Sequence, residues 1–228
     1  MSRARTLWTT VPVAVGHYVR RAPGTYLWLA ILLVSTLVVR RLSPAAADTL
    51  LGNRSTNLHH LQEDPVRVLI SSAFWLAGGG WLGYAVTYSI FHAQAERWLG
   101  TLRWLIVAVV AHVGATYISE GVLYWAIHHD YAPQSAVNTL DYGVSYALAG
   151  VVAVLVYRIA VPWRYLYLIG VLVFYAIPVV SSRTFTDIGH FSAMLLGFAC
   201  WPLTRGRPGP WDPASTARAC ARSVRHRQ

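Results

Sequence analysis

Two segments far apart in the chain carry the residue types from which a nucleophile and its base could be built. The first reads Asp141-Tyr142-Gly143-Val144-Ser145-Tyr146-Ala147-Leu148-Ala149-Gly150. The second reads Asp187-Ile188-Gly189-His190-Phe191-Ser192-Ala193-Met194-Leu195-Leu196-Gly197. A serine within hydrogen-bond reach of a histidine is the minimum for nucleophilic acyl transfer. The histidine removes the hydroxyl proton and later delivers it to the leaving amine. Taken alone, Ser145 reads as a helix serine bonded back to a carbonyl, and His190 as an ordinary paired polar group. Their surroundings point further. His190, Ala193 and Gly197 recur at i, i+3 and i+7 and share one helix face. Gly143, Ala147 and Gly150 form a small-residue stripe bordered by Ser145. Small faces let helices approach closely in lipid, so the pattern predicts that Ser145 and His190 meet near one end of two packed helices.

Three further ionisable residues stand in apolar surroundings, where such groups are costly. His112 is expected to face the bundle, bonded to a neighbouring carbonyl. Glu120, near the outer end of its run, is expected to be solvated. Asp141 suits the first turn of a helix, where a carboxylate satisfies free amides and the dipole. Together they also permit a proton or ion relay, although no inverted repeat accompanies them. The pairs His59-His60 and His128-His129 read as loop residues, since adjacent side chains point apart and no cysteine or carboxylate cluster joins them at ligand spacing. No metal site and no cofactor is expected.

The elements that must position these residues are membrane spans. The 228-residue chain is 55% hydrophobic and 12% charged, half the charge of an ordinary soluble domain. Its long apolar runs and 13% aromatic content exclude disorder. Its two cysteines, Cys200 and Cys220, do not make a disulfide framework. The net charge of +10 comes from arginine alone. Those arginines punctuate apolar runs rather than sharing a face with aromatics, so the expected partner is a lipid bilayer and not nucleic acid.

Six runs approach the roughly 17–25 residues that a helix needs to cross about 30 Å of hydrocarbon. They are Pro23 to Val39, Val68 to His92, Trp104 to Ile127, Leu140 to Tyr157, Tyr165 to Val180, and Ile188 to Leu203. Residues 1–22 read as a cytoplasmic lead-in, 23–204 as the membrane domain, and 205–228 as a basic tail expected to be disordered. With the N-terminus inside, inner segments hold 14 arginines and outer ones 5, which predicts both termini in the cytoplasm. The expected location is a bacterial cell membrane.

These segments resemble the rhomboid family of intramembrane serine proteases. Gly143-Val144-Ser145 matches the first three positions of that family's Gly-x-Ser-Gly motif on the fourth helix, and Gly150 a further glycine five residues on. Gly189-His190, Ala193 and Gly197 match its Ala-His-x-x-Gly-x-x-x-Gly pattern on the sixth helix with small-for-small exchanges. Asp64-Pro65-Val66-Arg67 through Ser72-Ala73-Phe74 resembles the approach to its second helix, and Glu96-Arg97-Trp98-Leu99-Gly100 the exit from it. The resemblance spans residues 23–204. It implies an all-α, six-helix rhomboid-like bundle acting on transmembrane protein substrates or clients. In that scheme Ser145 is the nucleophile and His190 the base, and Gly143 with the Ser145 amide shapes the oxyanion site. Gly150, Ala193 and Gly197 pack the helices.

The departures bear on activity. Tyr146 stands where the family has glycine. Trp81 to Thr87 lacks the His and Asn, four apart, thought to help bind the oxyanion. Ala149 replaces an aromatic that stacks on the histidine, a role open to Tyr142 or Tyr146. Water or Tyr84 is left to complete the oxyanion site, and losing one donor there typically costs about 100–1000-fold in turnover. The resemblance therefore implies either a protease or a rhomboid-like protein that binds transmembrane segments without cleaving them.

Overall fold

The computed structural model describes residues 16–76 and 80–216. Helix α1 covers Pro23–Arg41. Its proline takes a first-turn position, where a missing N–H costs nothing, and Arg40 and Arg41 complement the dipole at its far end. The amides at its start are satisfied from another element. The Glu96 carboxylate accepts from Gly24 N at 2.9 Å, from Thr25 N at 2.7 Å and from Thr25 Oγ1 at 2.8 Å.

Three short helices follow: α2 (Pro44–Gly52), α3 (Leu58–Glu63) and α4 (Pro65–Ser72). The side chains of Ser43, Asn57 and Asp64 cap them in turn. Helix α5 (Trp81–Thr87) then runs through a π-turn at Tyr88–His92 into α6 (Ala93–Leu99). Gly100, at a φ of 81°, reverses the chain into α7 (Thr101–His128). Helix α8 (Val144–Val154) tightens into a 3-10 turn at Leu155–Arg158. Helix α9 covers Trp163–Ser181, and α10 covers Phe185–Ala199 behind a Thr184–Asp187 capping box. Among the described residues no strand forms beyond an isolated bridge between Ile159 and Trp211.

The chain is thus all-helical, but the expected count of six spanning helices is not what the lengths give. Among the described residues three helices are long and apolar enough to cross a membrane: Pro23–Arg41, Thr101–His128 and Trp163–Ser181. The run from Val68 to His92 is not one continuous helix, because the helix capped by Asp64 stops at Ser72, residues 73–76 are not helical, and the next described helix starts at Trp81. Helix α8 has 11 residues, a rise of about 17 Å. It needs no lipid-spanning length, since nine of those residues are buried by its neighbours.

Helices α7, α8 and α10 form the centre. A Cβ at Gly197 would lie 2.2 Å from the Gly150 carbonyl oxygen, and one at Gly150 would lie 2.2 Å from the Ala111 Cβ. Backbones therefore meet directly, as small faces allow in lipid. A second cluster, Trp28, Tyr88, His92 and Trp104, ties α1 and the π-turn to α7. The Tyr88 and His92 rings stack at 3.8 Å, and Trp104 Nε1 donates to His92 Nδ1 at 3.1 Å. Helix α9 is peripheral. It buries only Val171, and Leu166, Ile169, Phe174 and Ile177 face outward.

Both described ends of the chain lie at one end of the bundle. The Arg97 guanidinium stacks on Tyr18, and Trp98 Nε1 donates to the Pro208 carbonyl at 3.2 Å. Residues 1–15 of the lead-in and 217–228 of the tail are outside the described part. The tail's first portion folds back, with Trp211 N donating to the Arg158 carbonyl at 2.7 Å.

Candidate functional site

Ser145 is the second residue of α8, and the segment before it is tied to the loop after α2. The Asp141 amide donates to Ser55 Oγ at 2.7 Å. The Asp141 carbonyl accepts from Thr56 N at 3.0 Å, Ser55 Oγ at 3.1 Å and Thr56 Oγ1 at 3.2 Å. Gly143 lies directly on the His112 ring: a Cβ there would stand 1.7 Å from His112 Nδ1. His112 Nε2 is 2.8 Å from the Leu69 carbonyl and 3.5 Å from Ser72 Oγ. A carbonyl only accepts, so Nε2 carries the hydrogen. The Ser72–His112 contact is therefore a structural one, in which the ring cannot take the serine proton through Nε2.

Ser145 Oγ donates to the Tyr142 carbonyl at 3.5 Å, and the Tyr84 hydroxyl of α5 interacts with the same Ser145 side chain. One turn on, the Tyr88 hydroxyl donates to the Val144 carbonyl at 3.0 Å. Tyr84 and Tyr88, four apart, thus line the face of α5 and its π-turn that meets the start of α8. Reading the sequence singled out Tyr84 but not Tyr88, whose role depends on the π-turn.

His190 keeps different company. Its ring meets Tyr146 edge-on, with centroids 4.9 Å apart, and lies nearly parallel to Tyr175 of α9 at 6.4 Å. Tyr146 is fully buried. Its hydroxyl donates to Ser119 Oγ at 3.4 Å and interacts with the Asp141 carboxylate. A Cβ at Gly189 would lie 2.4 Å from the Tyr146 hydroxyl, so only a glycine beside the histidine admits that ring. The structure therefore brings Tyr146 and His190 together. Among the described residues, no hydrogen bond joins Ser145 to His190. Tyr142 turns the other way, its hydroxyl donating to the Leu51 carbonyl at 3.0 Å.

An apolar groove of about 420 Å³ opens between the π-turn, α8 and α9. Its walls include Phe91, Leu148, Val152, Tyr167, Phe174 and Tyr175. Leu148 is three residues after Ser145 on the same helix face, and Tyr175 is the ring beside His190. The groove thus reaches a neighbour of each residue, while Ser145 and His190 are not themselves in its lining.

Two expectations about charge are corrected. Glu120 is not solvated: it is 1% exposed, and neither carboxylate oxygen has a hydrogen-bond partner. Asp141 does not cap α8, whose N-cap is Gly143. Its Oδ1 accepts from Tyr142 N at 3.0 Å, and its Oδ2 is buried without a partner. Both carboxylates approach Tyr146, and among the described residues no group of three or more His, Cys, Asp or Glu side chains could hold a metal ion. The buried cap supplied by Glu96 had no local signal, since its partners at residues 24 and 25 are remote in sequence.

A comparison with curated proteins returns no match, and neither does one with solved structures. A sequence model described as rhomboid-like protein matches residues 17–210, which takes in all of the long helices and both motif segments. With that match covering most of its length, the chain belongs to the rhomboid-like protein family.

Proposed function

We propose that this protein is an intramembrane serine protease that cleaves transmembrane substrates near the external membrane face. The supporting observation is an apolar groove walled by Leu148, one turn after Ser145, and by Tyr175, whose ring lies 6.4 Å from that of His190. A transmembrane helix lies against the apolar wall formed by Phe91, Leu148 and Phe174 and unwinds beyond it, one helical turn before Leu148, where Ser145 stands. Ser145 attacks the exposed peptide carbonyl while His190 takes its proton, then returns it to the leaving amine. The Ser145 amide and the Tyr84 hydroxyl donate to the developing oxyanion. The acyl-enzyme is then hydrolysed by water activated at the same histidine.

The resting contact of Ser145 with the Tyr142 carbonyl, at 3.5 Å, is at the outer limit of a hydrogen bond. A rotamer change of the hydroxyl is enough to break it, and catalytic hydrogen bonds are often long before substrate arrives. On this reading both termini face the cytoplasm of a bacterial cell, an orientation that the arginine distribution supports.

Ser145→Ala is expected to abolish cleavage of a transmembrane reporter and labelling by a fluorophosphonate. Unchanged cleavage by that variant ends this reading. A second reading rests on one contact: the Tyr146 ring, not the Ser145 hydroxyl, meets His190. On that reading the protein binds transmembrane segments without cutting them. Wild-type protein that never reacts with the probe, yet crosslinks to a transmembrane peptide from the groove, decides for it.

A further inference from the structure

At the end of the bundle that gathers both described chain ends, two cavities adjoin. One, of about 400 Å³, is lined by Arg21, Gln94, Arg97, Trp98, Arg158 and Pro208. The other, of about 270 Å³, shares Gln94 and Arg158 with it and is otherwise walled mainly by apolar side chains, among them Ile90, Phe91, Leu155 and Ile159.

The three arginines come from separate elements: the segment before α1, helix α6, and the turn after α8. Two of them are held by their surroundings. The Arg97 guanidinium lies 4.4 Å over the Tyr18 ring, and Arg158 lies 5.9 Å from the Trp98 ring while donating to the Gly209 carbonyl. No ion pair to any of the three is found among the described residues. Glu96, the acidic residue next to Arg97, is turned away and committed to Gly24, Thr25 and Thr101. Like charges drawn together without a counter-ion repel, so the arrangement gains from an anion supplied from outside. Guanidinium groups suit phosphate in particular, which they bind through paired N–H donors.

The level in the fold is also informative. The cavities sit where α6 ends and the turn after α8 leads towards α9, with Trp98 and Trp211 in their walls. Tryptophan collects at that depth in a bilayer, beside the headgroups. The tail completes the enclosure, since Trp211 bridges to Ile159 and Pro208 bonds to Trp98.

We propose that this paired cavity binds an anionic phospholipid, its phosphate among Arg21, Arg97 and Arg158 and an acyl chain in the apolar cavity beside them. A free phosphate would satisfy only the first half of the site. The proposal stands apart from catalysis and holds whether or not Ser145 is a nucleophile.

The test is native mass spectrometry of the full chain in detergent with phosphatidylglycerol or phosphatidylcholine. Phosphatidylglycerol is expected to remain bound preferentially. Arg21→Gln with Arg97→Gln is expected to weaken it about thirtyfold, from about fivefold for each arginine facing an anionic headgroup. Arg41→Gln with Arg67→Gln, at the other end, is expected to change nothing. Should the first pair fail to fold, Ile90→Asp keeps all three arginines, alters a half-exposed side chain, and is expected to cost about fourfold per displaced methylene of the chain. Equal retention of the two lipids, or an equal loss from both arginine pairs, overturns the proposal. Displacement of the lipid by millimolar inorganic phosphate also overturns it, since that result identifies a phosphate site with no use for the acyl chain.

Discussion

Ser145 and His190 owe their surroundings to three neighbours. Gly143 admits the His112 ring, Gly189 admits the Tyr146 ring, and Tyr146 in turn meets His190. Gly143 has an ordinary φ of −74°, so glycine is required there by the approaching ring and not by the backbone. Gly143→Ala pushes a Cβ into a buried imidazole that is already bonded to the Leu69 carbonyl. Overpacking of this kind costs about 1–3 kcal/mol. The expected result is a lower thermal unfolding temperature in detergent, together with lost activity. Ser145→Ala, by contrast, removes one weak hydrogen bond to the Tyr142 carbonyl and a contact with the Tyr84 hydroxyl, so its loss of activity is expected with a nearly unchanged unfolding temperature. That contrast separates a fold-keeping glycine from a working serine.

At the scale of elements, α8 and α9 are opposites. Helix α8 is enclosed, and its close approach to α10 leaves no room for a side chain between Gly150 and Gly197. Gly197→Ala sets a methyl against the Gly150 backbone, which cannot yield as a side-chain tip would. The helices must part, and a marked drop in unfolding temperature is expected. Helix α9 is loosely held, and Gly170 in it has nothing within 4 Å of an added Cβ although it lines the groove. Gly170→Leu is therefore expected to leave stability nearly unchanged while slowing cleavage or crosslinking of a transmembrane segment, because it fills the groove from the side. Equal effects of the two substitutions on stability would contradict this division of the bundle.

Across the whole molecule, arginine separates the two ends. Arg20, Arg21, Arg97, Arg103, Arg158, Arg164, Arg205 and Arg207 collect at the end holding both described chain ends, against Arg40, Arg41, Arg54, Arg67 and Arg183 at the other. The positive-inside tendency then predicts that reporters fused to the N- and C-termini both read as cytoplasmic. A signal from the opposite side for either would invert the bundle and with it the side on which Ser145 could meet a substrate.

The sequence by itself determined the helical class, the apolar runs that became helices, and the small-residue faces around Ser145 and His190. These are local properties: hydropathy and a period of 3.6 residues can be read from one segment at a time. Even there, length misled. The run from Val68 to His92 looked like one span, yet α4 ends at Ser72 and α5 starts at Trp81. Only the tertiary structure decided which polar groups met. Glu96 caps α1, Ser55 holds Asp141, Glu120 is enclosed beside Tyr146, and Tyr146 reaches His190. Each of these contacts joins residues remote in sequence, and each depends on how far a helix is rotated and how closely its neighbour approaches. A shift of one residue in that rotation moves a side chain by about 100°, enough to exchange Tyr146 for Ser145 at the histidine. Neighbouring positions in the chain therefore could not foretell which of the two side chains would face it.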